Sequence, residues 1–213
     1  MNYRFAVIIL LVVYMAALIG YTTPTQQSWY FDATPYFVLF NALLLLLYNS
    51  RKDKNFALFT TASLASIWGI LLLSVQMGWV DYTYNSDTLG EWDGGGLPFA
   101  APALWYCITY SSVLMVNKLP AGNILKIVFS TLVSIALFAI IHQSAQSLDM
   151  WRVQAPAGIN FIAPALMALT TAILFYVFKL GDTQNKIAVY IYGGLFVFFV
   201  GMVMFGGSTL WKI

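Results

Sequence analysis

The stretch Ile187-Ala-Val-Tyr-Ile-Tyr-Gly-Gly-Leu-Phe-Val-Phe-Phe-Val-Gly-Met-Val-Met-Phe-Gly-Gly207 contains no charged side chain and no proline. As an α-helix, a run of this length and apolarity crosses the roughly 30 Å hydrocarbon core of a bilayer. Six further apolar runs precede it, at residues 5–22, 30–48, 56–80, 97–117, 124–142 and 159–178. Of the 213 residues, 61% are hydrophobic, 17% aromatic and 8% charged, against about 25% charged in a soluble domain. Eighteen charges cannot solvate the surface of a soluble protein this long. A water-soluble domain, a disordered chain and a basic nucleic-acid binder are thereby excluded. The expected fold is all-α: a polytopic membrane protein whose single domain, residues 1–213, is a compact bundle of seven transmembrane helices.

The charges test that count. Seven spans place the N-terminus and the second, fourth and sixth loops on one side, with Arg4, Arg51, Lys52, Lys54, Lys118, Lys126, Lys179 and Lys186. The other side holds only Arg152 and Lys212 among the bases, but Asp32, Asp81, Asp87, Glu91, Asp93 and Asp149 among the acids. The positive-inside rule then predicts a cytoplasmic N-terminus and an outer C-terminus. The first span lacks a small-x-small cleavage pattern before Gln26 and is read as a span, not a removed signal,. The second is the weakest, with Asp32 and Pro35 near its start and a firm apolar part at 36–48. Pro102 and Pro164 fall inside spans and are expected to kink them.

The cytoplasmic loops are short, and their charges serve as topology signals. The outer loops are richer. Residues 81–96 combine four acids, two tyrosines, a tryptophan and a triglycine, and residues 143–158 hold Asp149, Trp151 and Arg152. Two readings stand side by side: an interfacial belt of Trp and Tyr, or a lipid-accessible pocket roofed by these loops for a long apolar substrate with one reacting end. Within the spans, Asn41, Gln76, Asn117 and Asn160 are candidates for interhelical hydrogen bonds. Gly194 and Gly201 lie seven residues apart on one helix face, which favours close helix packing over a slot for a flat polyene.

Chemistry-bearing patterns are few. Walker, G-x-G-x-x-G, G-x-S-x-G and H-E-x-x-H motifs are absent,. A single cysteine, Cys107, and a single histidine, His142, exclude an intrachain disulfide framework and a His-cluster metal centre,. The last span has no central lysine for a retinal Schiff base. No span carries a ladder of charges, which argues against a voltage sensor or a proton pump.

Several stretches, in order, are similar to one family. They are Leu18-Ile19-Gly20, Trp29-Tyr30 and Thr34-Pro35; Tyr82-x-Tyr84 with Leu89-Gly90; Leu97-Pro98-Phe99 through Leu104-Trp105-Tyr106 to Asn117-Lys118-Leu119; and Leu148-Asp149-Met150-Trp151 with Asn160-Phe161. Together they resemble the integral-membrane carotenoid biosynthesis family typified by the carotenoid 1,2-hydratases of the bisanhydrobacterioruberin hydratase type. The sequence departs from that pattern where the family has acids: Phe138 and His142 stand before the L-D-x-W segment, and Val75 or Gln76 late in the third span. Val153 replaces the second aromatic of W-x-W.

The resemblance implies addition of water to the terminal C1–C2 double bond of an acyclic carotenoid. Such a reaction needs an acid with a raised pKa, aromatic faces for a tertiary cation and one positioned water. Asp149 is the expected general acid, His142 its helper and Asp81 the second choice. Tyr82, Tyr84, Trp105, Tyr106 and Trp151 are the expected cage, and Asn160 a substrate-binding residue. No cofactor or metal is expected, since hydration is not a redox reaction. The expected partners are the lipid bilayer, a carotenoid or similar long apolar molecule, and membrane proteins docked through small-residue helix faces; nucleic acid is not expected. The expected location is the cytoplasmic membrane of a prokaryote. The missing acids keep open an alternative, a non-catalytic carotenoid- or lipid-binding membrane subunit of a larger complex.

Overall fold

Where water is absent, a chain must satisfy its backbone polar groups within its own segment, and each apolar run closes as a helix. The computed structural model describes residues 3–23, 25–81, 97–145, 148, 151–153 and 158–205, with backbone alone at 81, 145, 152 and 153. It contains α1 (Tyr3–Thr22), α2 (Gln27–Leu47), α3 (Lys54–Gln76), α4 (Ala101–Val116), α5 (Asn123–Ala145), α6 (Ile162–Val177) and α7 (Ala188–Phe205). Six of these are long and apolar enough to cross a membrane, and α4 is a shorter apolar helix. The protein is thus a multi-pass helical membrane bundle. The departures from pure helix are one 3-10 turn, Ile159–Phe161, and an antiparallel pair of two-residue strands, β1 (Val80–Asp81) and β2 (Arg152–Val153), in register Val80 to Val153 and Asp81 to Arg152.

Helix α4, as short as α6 at 16 residues, is the axis of the bundle. Every residue of α4 except Met115 is buried, and α4 packs against α2, α3, α5, α6 and α7. Small polar residues suit that position because their hydroxyls turn back onto their own helix. Thr109 Oγ1 donates to Trp105 O at 2.9 Å, Ser112 Oγ to Ile108 O at 2.7 Å, and Ser111 to Cys107 O. The outer helices instead present Ile8, Val12, Leu43, Ile124 and Val177 outward, as a lipid-facing surface requires.

The prolines behave differently from the sequence expectation. Pro102 and Pro164 sit in the first turns of α4 and α6. N–H groups there have no intrahelical acceptor, so a missing one costs little and no kink follows. Pro35 is the interior proline, because α2 begins at Gln27, well before the firm apolar part at 36–48. The neighbouring turn is anchored by hydroxyls: Thr34 Oγ1 and Tyr21 Oη donate to Tyr30 O at 2.8 and 3.0 Å, and Tyr21 Oη also meets Thr34 Oγ1.

The glycine face of α7 closes against α1. The Tyr14 ring occupies the space that a Cβ on Gly194 would need, and Leu18 Cδ1 lies 2.7 Å from one built on Gly201. Tyr14 Oη reaches Asn41 Oδ1 on α2 at 3.1 Å and Ile191 O on α7 at 3.3 Å, tying three helices at one point. Asn41 and Asn117 make the interhelical bonds expected of them, while Gln76 is exposed at the end of α3.

Helix alternation gathers the loops at two ends. At one end the segments around Asn49–Asp53, Asn117 and Lys179–Lys186 bond to one another; this is the knotted end. At the other, the end of α1 meets the start of α2, β1 pairs with β2, and α5 meets the turn before α6; this is the mouth.

Candidate functional site

At the mouth, Trp105 on α4 faces Trp151, with ring centroids 6.4 Å apart, and Phe138 on α5, at 5.3 Å. Phe138 stacks in turn near His142 at 5.4 Å and Phe161 at 5.2 Å. The period of α5 puts Phe138 and His142, four residues apart, on one face. Asn160 is delivered by the 3-10 turn that follows Gly158, whose φ of +98° is a conformation glycine adopts readily,.

Trp105, Trp151, Phe138 and Asn160 line one small cavity together with Ser74, Pro164 and Met167. It leaves about 10 Å³ for the centre of a water molecule, room for about one water. Three buried polar atoms here have no hydrogen-bond partner among the described residues: Trp105 Nε1, Asn160 Oδ1 and His142 Nδ1. Leaving such a group unpaired costs about 1–3 kcal/mol. Trp105 and Asn160 both line the cavity, and of their unpaired atoms one is a donor and the other an acceptor, the kinds of group a bridging water needs. Ser63 and Thr171 hydroxyls, in α3 and α6, and that of Thr183, at the knotted end, complete the set of such atoms among the described residues.

Of the residues expected from sequence, the structure therefore brings together Trp105, Trp151, Asn160 and His142. Tyr106 goes elsewhere. Its hydroxyl lies 3.3 Å from Thr60 Oγ1 and its ring stacks on Tyr110 at 5.2 Å. Adjacent helical residues point about 100° apart, and Tyr106 is not among the residues that line the cavity of Trp105. Asp81 has its backbone in β1 opposite Arg152. Asp149, Tyr82 and Tyr84 lie outside the described residues. Leu148 and Trp151, on either side of position 149 in the chain, are buried, at 1% and 3% exposure, and each lines a cavity.

The second cavity, about 30 Å³, is walled by Leu104, Leu148, Tyr21, Thr34, Phe37 and Phe198, among others. A third, about 240 Å³, is a lateral groove between α1 and α2, and it shares Tyr21, Thr34 and Phe37 with the second. The groove and Phe138 were not expected from the sequence as parts of a site. Phe138 carried a weak signal, its four-residue spacing from His142. The groove carried none, because alanines such as Ala16 and Ala33 read as ordinary span residues.

The knotted end is polar, and apart from the Thr183 hydroxyl its buried side-chain groups among the described residues are paired. Arg51 bonds Asp53 through Nε at 3.0 Å and Nη2, and donates from Nη1 to Lys179 O at 2.8 Å and Asp182 Oδ1 at 2.9 Å. The guanidinium, together with the Phe56 N–H, holds the Asp53 carboxyl below its usual range, and the two carboxylates push the Arg51 pKa up. Their geometry is that of a clasp between two loops. Comparison of the chain with family models, with curated proteins and with solved structures gives no match.

Proposed function

We propose that this protein is a membrane enzyme that adds water to the terminal C1–C2 double bond of an acyclic carotenoid. The observation that supports this reading most directly is the mouth cavity: aromatic walls, room for about one water, and Trp105 and Asn160 among its lining residues, whose Nε1 and Oδ1 have no partner among the described residues. In the proposed reaction, the Asp149 carboxyl gives its proton to C2 and leaves a tertiary cation at C1. The faces of Trp105, Trp151 and Phe138 stabilise that cation. Water held between Trp105 Nε1–H and Asn160 Oδ1 adds to C1, and the resulting oxonium returns a proton to the Asp149 carboxylate, directly or through His142. The net change is one water added, with no electron transfer. In this reading the mouth faces outward, the basic knotted end faces the cytoplasm, and the membrane is the cytoplasmic membrane of a prokaryote.

The test is expression in a lycopene-producing cell that lacks any hydratase. The expected result is a product one water heavier, hydroxylated at C1, and its loss in Asp149→Asn. Unchanged lycopene with the wild-type protein folded in the membrane overturns the reading. The apolar groove between α1 and α2 favours a second reading, a non-catalytic carotenoid-binding subunit, for which the same cells would yield lycopene bound to the purified protein but not converted.

A further inference from the structure

From the sequence, the lysines of the knotted end serve as topology signals. The fold sets three of them apart. Asn117, the residue that closes α4, is the point where they gather. Its carbonyl accepts from Lys126 Nζ on α5 at 2.8 Å, its Nδ2 donates to Gly181 O at 2.8 Å, and its Oδ1 accepts from Tyr176 Oη on α6 at 3.3 Å. These bonds bring Lys118, next to Asn117, and Lys179, two residues before Gly181, to the same corner as Lys126. An ammonium carries three donors, so Lys126 keeps two after its bond to the end of α4. Lys118 and Lys179 are exposed, and neither makes an ion pair among the described residues. Residues 49–55, 117–126 and 179–186, which build this end, contain two acids, Asp53 and Asp182, and Arg51 holds both. Lys179 also sits at a φ of +55°, in the turn that ends α6, where glycine would be free of strain,. A lysine stands there in spite of that strain.

The surface beside the corner says what kind of anion suits it. Ile124, Leu125 and Val128 in the first turns of α5, and Val177 at the end of α6, are exposed and apolar, and α5 packs along α6. Positive charge at helix ends above an apolar surface matches a phospholipid, with its phosphate at the ends and its acyl chains along the helices. A soluble anion would use the lysines and leave the apolar side chains without a partner.

We infer that the corner formed by Lys118, Lys126 and Lys179 binds the phosphate of an anionic phospholipid whose acyl chains lie along α5 and α6. The site is at the opposite end of the bundle from the mouth and does not depend on the proposed hydration.

The test compares two ways of removing the same charge. The full chain is purified in detergent, stripped of lipid, and titrated with phosphatidylglycerol or with phosphatidylcholine of identical acyl chains, and binding is read by native mass spectrometry. Phosphatidylglycerol is expected to bind well before phosphatidylcholine. A lysine near an anionic headgroup is worth about fivefold in affinity, so the triple variant Lys118→Gln, Lys126→Gln, Lys179→Gln is expected to lose about a hundredfold. The double variant Lys118→Gln, Lys179→Gln keeps the Lys126 bond to Asn117 and is expected to lose about twenty-five-fold, which keeps the test open if the triple variant does not fold. The control, Lys52→Gln, Lys54→Gln, Lys186→Gln, removes equal charge from exposed positions of the same end. It is expected to lose less than about threefold at about 0.15 M salt, which screens charges beyond about 8 Å. Equal losses in the corner and control variants overturn the inference, since the attraction would then be diffuse. Equal binding of phosphatidylglycerol and phosphatidylcholine overturns it as well. Soluble glycerol phosphate that binds as tightly as the lipid overturns the phospholipid assignment, because the acyl chains would then contribute nothing.

Discussion

The two ends of this bundle treat the same side chain in opposite ways. At the knotted end, each buried or bridging asparagine spends both halves of its amide. Asn49 accepts from Tyr110 Oη at 2.7 Å and donates to Arg51 O at 2.6 Å. Asn117 accepts from Tyr176 Oη at 3.3 Å and donates to Gly181 O at 2.8 Å. Asn185 donates to Leu45 O at 2.7 Å and accepts from Ile187 N at 3.1 Å. At the mouth, Asn160 Oδ1 and Trp105 Nε1, on residues that line one cavity, are buried with no partner among the described residues. Pairing of the amides, with the Thr183 hydroxyl the one buried exception at that end among the described residues, suits loops that must close a bundle against water. Incomplete pairing beside a cavity costs stability and leaves hydrogen-bonding capacity for something that comes and goes. The difference separates a structural end from a working end.

The largest expected effect lies at the mouth and on turnover. Under the hydratase reading, Asp149→Asn removes the general acid, and the rate of lycopene hydration falls about 10²–10⁴-fold. The thermal midpoint of the purified protein stays near wild type, because no part of the knotted end is touched. A matching fall in midpoint would instead make Asp149 a structural residue.

Next comes the mirror pair. Asn185→Leu strips partners from the buried Leu45 carbonyl and Ile187 N–H, each worth about 1–3 kcal/mol when left unmet. Its unfolding midpoint in detergent is expected to drop clearly, while turnover per folded molecule holds. Asn160→Leu is expected to do the reverse. It deletes an acceptor that is already unpaired, so stability changes by less than about 1 kcal/mol, or rises. The bridging water is lost, and turnover falls about 10–100-fold. If both leucine variants destabilise equally and neither affects turnover, the contrast between the ends has no functional content.

The contrast also marks what could be read from the chain alone. Seven apolar runs and their one-sided bases were legible because they depend on hydropathy and charge, which need no partner. The close contact of Gly194 and Gly201 with α1 was legible for a similar reason: small residues on one face permit little else. That α4 is the axis was not. A helix buried on all sides by other helices and one surrounded by lipid can have the same composition, and only its Thr109, Ser111 and Ser112 set it apart. Of the candidate site, Trp105, Trp151 and Asn160 come from the family-like pattern and His142 departs from it, and these four lie near one another; Tyr106, named with Trp105 in the same stretch, packs instead on Tyr110 and Thr60. The groove was illegible because it is made by absence: two alanines opposite each other leave space only once α1 and α2 are docked.

The smallest effect probes the clasp at the knotted end. Asp53 has its pKa lowered on folding, first by its bond to Arg51 and then by the Phe56 N–H. Its contribution is therefore present above the ordinary carboxylate range, about pH 4, and is lost as pH falls through the lowered folded value. The raised pKa of Arg51 adds no transition there, since its contribution persists until pH rises through a value beyond the ordinary guanidinium range. A weak acid limb in the thermal midpoint is expected, concentrated below about pH 4 and flattened by Asp53→Asn. That substitution keeps the cap on α3, because asparagine serves as well as aspartate at an N-cap, and so removes charge alone. Both partners are solvent-accessible, so molar salt should shrink the same limb. An acid limb that survives both Asp53→Asn and high salt would mean that the clasp holds its loops through the Arg51 hydrogen bonds to Lys179 O and Asp182, and that the short Arg51–Asp53 ion pair adds nothing to the closure of that end.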